Sequence, residues 1–292
     1  MLRARPFLVL SLACWALLLL VYVFALGTGP GRAADRHTLL NGPAGPRWQE
    51  VHDASSHLVH TIDVSSLVLA AVAIVGIALV RRLPGHAIAA AVTIVGAVGT
   101  TEVLKPGLGA LDPLGENADR AIGSSFPSGH ATVAMSVTLA LLVVVPPAWR
   151  PAAAVLAALY SGVVGIGLVL LGAHFPSDVA GGYLVACAWA SAACAGLAEW
   201  TRRHPEVDAV PGSRAIAAGA TAALSVAFVI VLLVALAAVR STDLGKLEPL
   251  GRLHTSFFAT SGGLLVLAAL VPAVLAAMLL RGHLRAGSAL HV

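Results

Sequence analysis

Stretches of apolar residues long enough to cross a lipid bilayer recur along this chain, near residues 7–27, 64–80, 87–104, 130–145, 152–171, 179–198, 215–239 and 257–280. At about 20 residues per crossing, these eight runs leave little for a water-soluble domain. Of the 292 residues, 58% are hydrophobic and only 11% charged. The mean hydropathy is +0.90, more than one soluble core of this size could hide. A backbone in lipid must satisfy its own hydrogen bonds, and helices do so within one segment. The predicted fold class is therefore all-α, a polytopic membrane protein with about eight transmembrane helices. The run at 64–80 is short, and Gly and Pro interrupt several others.

An even number of crossings puts both termini on one side. Arg3, Arg5, Arg81, Arg82, Arg150, Arg202 and Arg203 all fall on that side, in short connections, so it is expected to be cytoplasmic. The longer connections then face outward from a multi-pass cell-membrane protein. Arg3 and Arg5 before an apolar stretch resemble a signal peptide, but the stretch is too long and lacks a convincing cleavage site, so a retained helix is expected. The net charge of +4 is explained by these loop ends, and no nucleic-acid partner is expected. Cys14, Cys187 and Cys194 lie inside apolar runs and are read as packing residues.

Two polar motifs break the apolar pattern: Phe126-Pro127-Ser128-Gly129-His130 and His174-Phe175-Pro176-Ser177-Asp178. Each opens a span on the outward side. An imidazole four residues before a carboxylate suits a nucleophile oriented by that carboxylate. His174 would attack phosphorus to form a phosphohistidine, with Asp178 holding its tautomer. His130 would protonate the leaving group and then help activate water. Charge on the equatorial phosphate oxygens needs donors already in place. Lys105, the Ser128 hydroxyl and the amides near Gly129, at a helix N-terminus, are suited to this. Lys105 also reads as a snorkelling residue at the end of span three, and Asp178 as an N-cap for span six, whose start falls at Pro176 and Ser177. Tyr160, Tyr183, Trp149 and Trp189 read as interfacial or packing aromatics.

Around these motifs the chain divides into 1–63, a first helix and an outward interfacial segment; 64–198, the membrane core; and 199–292, a cytoplasmic linker and a two-helix extension. The outward segment opens with Gly-Pro-Gly and turns helix-forming from Trp48, where Val51, Leu58 and Ile62 share a face suited to a helix lying on the membrane. His52, His57, His60 and Asp63 in this stretch do not complete a metal set, and are read as a solvated face or a lining of the active-site mouth. The connection from Lys105 to Ser128 is rich in Gly and Pro, and irregular loops of that length are commonly functional.

Lys105, then Pro127-Ser128-Gly129-His130, then His174 and Asp178, in this order and at these membrane positions, resemble the three-part signature of the type 2 phosphatidic acid phosphatase (lipid phosphate phosphatase) superfamily. The resemblance covers roughly residues 60–198. It implies a six-helix phosphatase-like core, a mechanism through phosphohistidine with no metal or other cofactor, and substrates such as phosphatidate, phosphatidylglycerophosphate or polyprenyl pyrophosphate.

Two departures stand against the matches. The family's first motif has an arginine before a proline, where this chain has Asp112 before Pro113. Its third motif opens with Ser-Arg, where this chain has Gly167-Leu168. Each charge-assisted contact is worth about 1.5–3 kcal/mol, so both losses together call for a replacement. Arg120 is the nearest candidate phosphate ligand, followed by Arg252 with His254. The expected activity is hydrolysis of a lipid or polyprenyl (pyro)phosphate at the outer face. A lipid phosphotransferase, whose phosphodiester donor carries less charge, is the nearer alternative, and a non-catalytic lipid-binding relative the more distant one.

Overall fold

The computed structural model describes residues 3–40, 46–110, 126–204 and 251–288. Among these residues the regular structure is helical: α1 (Ala4–Gly27), α2 (Gly29–Leu40), α3 (Pro46–His60), α4 (Val64–Val80), α5 (Pro84–Ala110), α6 (Gly129–Val144), α7 (Arg150–Leu170), α8 (Pro176–Arg203) and α9 (Gly251–Ser288), with a short 3₁₀ turn at Pro147–Trp149. Five of them are long and apolar enough to cross a membrane, in α1, α5, α7, α8 and α9. The apolar helices α4 and α6 are shorter, at 17 and 16 residues, or about 25 Å at 1.5 Å per residue. The all-α, polytopic membrane architecture is thus evident. Seven of the eight expected spans coincide with helices, and 215–239 lies outside the described residues.

Much of the apolar surface faces outward. Leu12, Leu20, Leu69, Val72, Val80, Val95 and Val103 are each more than 60% exposed, which only a lipid environment accommodates over such an area. The inward faces are built from small residues, so the helices approach closely. Helix α8 runs through the middle with 78% of its apolar window buried. It packs along α1, where the Ser11 hydroxyl donates to the Ala188 carbonyl at 2.9 Å, and along α5, where the Trp189 indole donates to Thr100 Oγ1 at 2.9 Å. Helices α6, α7 and α9 complete its surroundings. Tyr183 is buried, its hydroxyl donating to the Ser161 carbonyl of α7, whereas Trp149 is 62% exposed. Cys14, Cys187 and Cys194 are free thiols buried in this packing.

Two expectations need correction. The Gly-Pro-Gly after the first span, expected to open an outward segment that turns helix-forming only from Trp48, itself starts α2. Proline fits the first helical turn, where its missing N–H would have no intrahelical partner. The Thr28 hydroxyl oxygen accepts from the Gly31 N–H at 3.1 Å and so caps that turn. Nor does the fifth helix stop at Lys105: α5 continues through Pro106 to Ala110. Pro106 removes the N–H that would have reached back to Glu102 and its ring crowds the Glu102 carbonyl, but its fixed φ is helical and the helix continues past it.

Helix α3, from the predicted interfacial stretch, does not lie free on the surface. Its Ser55 packs on Gly167 of α7, and Val59 and Ile62 are buried. His52, His57 and His60 are exposed.

Candidate active site

The site forms where the starts of α6 and α8 meet the end of α7. Helix α7 closes with Gly172 at φ +66°, in the left-handed region that glycine occupies without penalty. Around it the Gly172 N–H donates to the Val169 carbonyl at 3.1 Å, and the Ala173 N–H to the Leu168 carbonyl at 3.0 Å. This is the paired bonding of a Schellman cap. The His174 N–H reaches the same Leu168 carbonyl at 3.3 Å, so the cap itself hangs His174 at its place.

Four residues on, Asp178 occupies the third position of α8 rather than its N-cap, which falls at Phe175. A phenylalanine has no acceptor for the helix amides. Asp178 reaches back instead, its Oδ2 accepting from the Phe175 N–H at 3.1 Å. The same Oδ2 lies 3.6 Å from His174 Nδ1, with the carboxylate fully buried and the imidazole 14% exposed. That separation is longer than a hydrogen bond, and Nδ1 is buried with no hydrogen-bond partner among the described residues. Contacts of this kind shorten when charge develops on the ring.

The second motif is locked onto the third. The Ser128 N–H donates to the Asp178 backbone carbonyl at 2.9 Å. Ser128 Oγ accepts from the Ala131 N–H at 3.3 Å, making Ser128 the N-cap of α6. Docking this close requires the glycine pair of α8. A Cβ on Gly181 would fall 2.8 Å from the Phe126 ring, and one on Gly182 would fall 2.7 Å from the Ser128 carbonyl oxygen. With the loop held, the rings of His130 and His174 stand edge to face at 6.2 Å between centroids.

Lys105 completes the group from α5. Its ammonium is paired with Glu102 at 2.6 Å, and a Cβ on Gly129 would sit 2.8 Å from Nζ. The ammonium therefore rests over the first residue of α6, where amide N–H groups point outward and the helix dipole is positive. Thr101, one turn back on α5, bonds Thr132 of α6 at 3.0 Å and fixes the register of the two helices. His130 stands within electrostatic reach of His174, Lys105 and His60 of α3.

Of the residues singled out in the sequence, the structure thus brings Lys105, Ser128, Gly129, His130, His174 and Asp178 into one cluster. Arg120, with Asp112 and Pro113, lies outside the described residues. Arg252 stands on the first turn of α9. Leu168, where the third-motif arginine is expected, is fully buried, and Gly167 is covered by Ser55, whose Cβ lies 3.3 Å from an added Cβ. The sequence reading overlooked Glu102, Thr101, the Gly181-Gly182 pair and Asp35 of α2. Asp35 is 7% exposed and accepts from Ser177 Oγ at 2.5 Å and from the Ser177 N–H at 3.3 Å.

Two imidazoles, one facing a buried carboxylate, and a lysine over a helix N-terminus thus stand together at this end of the helices. Residues 86–202 match the family model described as the PAP2 superfamily. Neither a curated protein nor a solved structure matches the chain significantly.

Proposed function

We propose that the protein hydrolyses a lipid or polyprenyl (pyro)phosphate at the extracytoplasmic face of the membrane through a phosphohistidine. The observation that carries this reading is His174, its Nδ1 facing the buried Asp178 carboxylate at 3.6 Å and its ring 6.2 Å from His130. With Nδ1 carrying the proton toward Asp178, Nε2 is the free lone pair. It attacks phosphorus, and the bond to the lipid oxygen breaks as His130 donates a proton to that oxygen. Asp178 stabilises the imidazolium character that develops. Lys105 and the first amides of α6 take the charge on the equatorial oxygens. Water then attacks the phosphohistidine, losing a proton to His130, and free phosphate leaves. The lopsided arginines at the opposite helix ends support the outward placement of the site.

One observation favours a second reading within the same chemistry. Leu168 fills the arginine position with closed apolar packing, which suits a less charged phosphodiester donor and transfer of the phosphoryl group to an acceptor lipid. One experiment separates the readings. Purified protein in detergent is offered phosphatidate, a polyprenyl pyrophosphate and a phosphodiester lipid, with phosphate release and lipid products both measured. Hydrolysis predicts free phosphate that is lost in His174→Ala. Transfer predicts a new phospholipid and little phosphate. Neither product from any lipid would refute both.

A further inference from the structure

We infer that Asp35 is a positioning residue for the His174–Asp178 pair, acting through Ser177; this rests on the reading of His174 as the nucleophile. Helix α8 must carry the active carboxylate within its first turn, yet its N-cap position is Phe175, which offers no side-chain acceptor. Pro176 contributes no N–H, so the first amide needing a partner is that of Ser177. Asp35 provides it from another helix. One carboxylate oxygen accepts the Ser177 N–H at 3.3 Å, and the other accepts the Ser177 hydroxyl at 2.5 Å. Aspartate is among the best N-cap residues, and its charge suits the positive end of the helix. Here the cap is supplied in trans.

The consequence for the site follows from what shares that turn. Asp178 Oδ2 accepts from the Phe175 N–H at 3.1 Å and faces His174 Nδ1 at 3.6 Å. The Asp178 backbone carbonyl holds Ser128, and with it the loop that presents His130. Ser177 lies between these two connections. Two bonds from Asp35 fix this turn, so its place sets both the His174–Asp178 separation and the spacing of the two histidines. Asp35 also lies outside the family-matched segment 86–202. The N-terminal helix pair thus contributes a support for the site that the matched core does not contain.

The test compares Asp35→Ala, Asp35→Asn, Ser177→Ala and the Asp35→Ala/Ser177→Ala double variant of the full chain in detergent. Asp35→Ala is expected to lower kcat about 10- to 100-fold with KM within about threefold, as for a misplaced reacting group. Asp35→Asn should recover most of the loss, because an amide oxygen still accepts at a helix N-terminus. The double variant should be within about twofold of Asp35→Ala, since Asp35→Ala already removes both bonds to Ser177. Two readouts need no turnover. Amide exchange at Ser177 should quicken about tenfold in Asp35→Ala while Ala186 is unchanged, and the His174 ring resonances should move. Wild-type kcat in Asp35→Ala, or unmoved His174 resonances, would overturn the inference. So would an Asp35→Asn no better than Asp35→Ala. Should Asp35→Ala not fold, Asp35→Asn and Ser177→Ala decide on the same readouts. If the wild type turns over no lipid phosphate, the functional reading fails, and exchange and resonances still decide the positioning.

Discussion

Replacing Gly182 by alanine tests whether close docking of α6 on α8 assembles the site. The new Cβ falls 2.7 Å from the Ser128 carbonyl oxygen and 3.0 Å from both Ala131 Cβ and Thr132 N. Two of these three neighbours are backbone, with no flexible side-chain end to swing aside. Ordinary contact begins at 3.4 Å, so the helices must part by about 0.7 Å at this point. Overpacking of this kind costs about 1–3 kcal/mol, offset by about 1 kcal/mol for replacing a helical glycine with alanine. Gly196→Ala on the same helix is the control, because nothing lies within 4 Å of its added Cβ. It should gain the propensity term alone. The two variants are therefore expected to differ by about 1–3 kcal/mol, several degrees in melting temperature at roughly 2–4 °C per kcal/mol. Parting the helices also stretches the 2.9 Å bond from Ser128 N to the Asp178 carbonyl and moves His130 from His174. Phosphate release should fall about 10- to 100-fold for a displacement near 1 Å. Thermal melts and phosphate release in the same detergent measure both effects. A Gly182→Ala protein as stable and as active as Gly196→Ala would refute the reasoning.

Asp178→Asn should lower turnover by about 10²- to 10⁴-fold while lipid binding persists, since the amide no longer sets the imidazole tautomer; steady-state kinetics beside a lipid-binding assay would show it. Restoring the family arginine by Leu168→Arg should not create a better phosphatase. Leu168 is fully buried, and an unpaired guanidinium there should cost several kcal/mol, visible as lost monodisperse protein on size exclusion; a folded variant with raised phosphatase activity would contradict this. Cysteine placed at Thr61, at the site end, should react with an impermeant thiol reagent from outside intact cells, and one at His204 should not. The reverse labelling would put the site in the cytoplasm.

The spans were legible because lipid imposes a length and a hydropathy that loops do not satisfy, so 64–80 and 152–171 appear within a residue or two of their helices. The candidate site was legible for a related reason. His130, His174 and Asp178 are polar groups at the openings of apolar helices, and the fold brings them into one cluster. What escaped was pairing between distant segments. Asp35 reads as an ordinary polar residue in a Gly-Pro-rich stretch until α2 is folded against α8, 142 positions away from Ser177. The Gly181-Gly182 doublet looks like composition in an alanine-rich helix until the Phe126 ring and the Ser128 carbonyl are seated on it. Helix α2 was missed because Gly-Pro-Gly signals a break as often as a start, and the Thr28 cap decides between them only in three dimensions.

Helix α8 is also the least apolar of the five spans, with a hydropathy of 1.4 against 2.7 for α1. A segment of that composition partitions into lipid less readily when it leaves the insertion machinery alone. Its stable residence depends on α1, α5, α6 and α7, all made before it and already waiting with complementary faces. Formation of the site is thereby tied to completion of the bundle. A chain in which those helices are misassembled would leave α8 poorly inserted and His174 away from His130, so the two imidazoles meet only once their supports are in place.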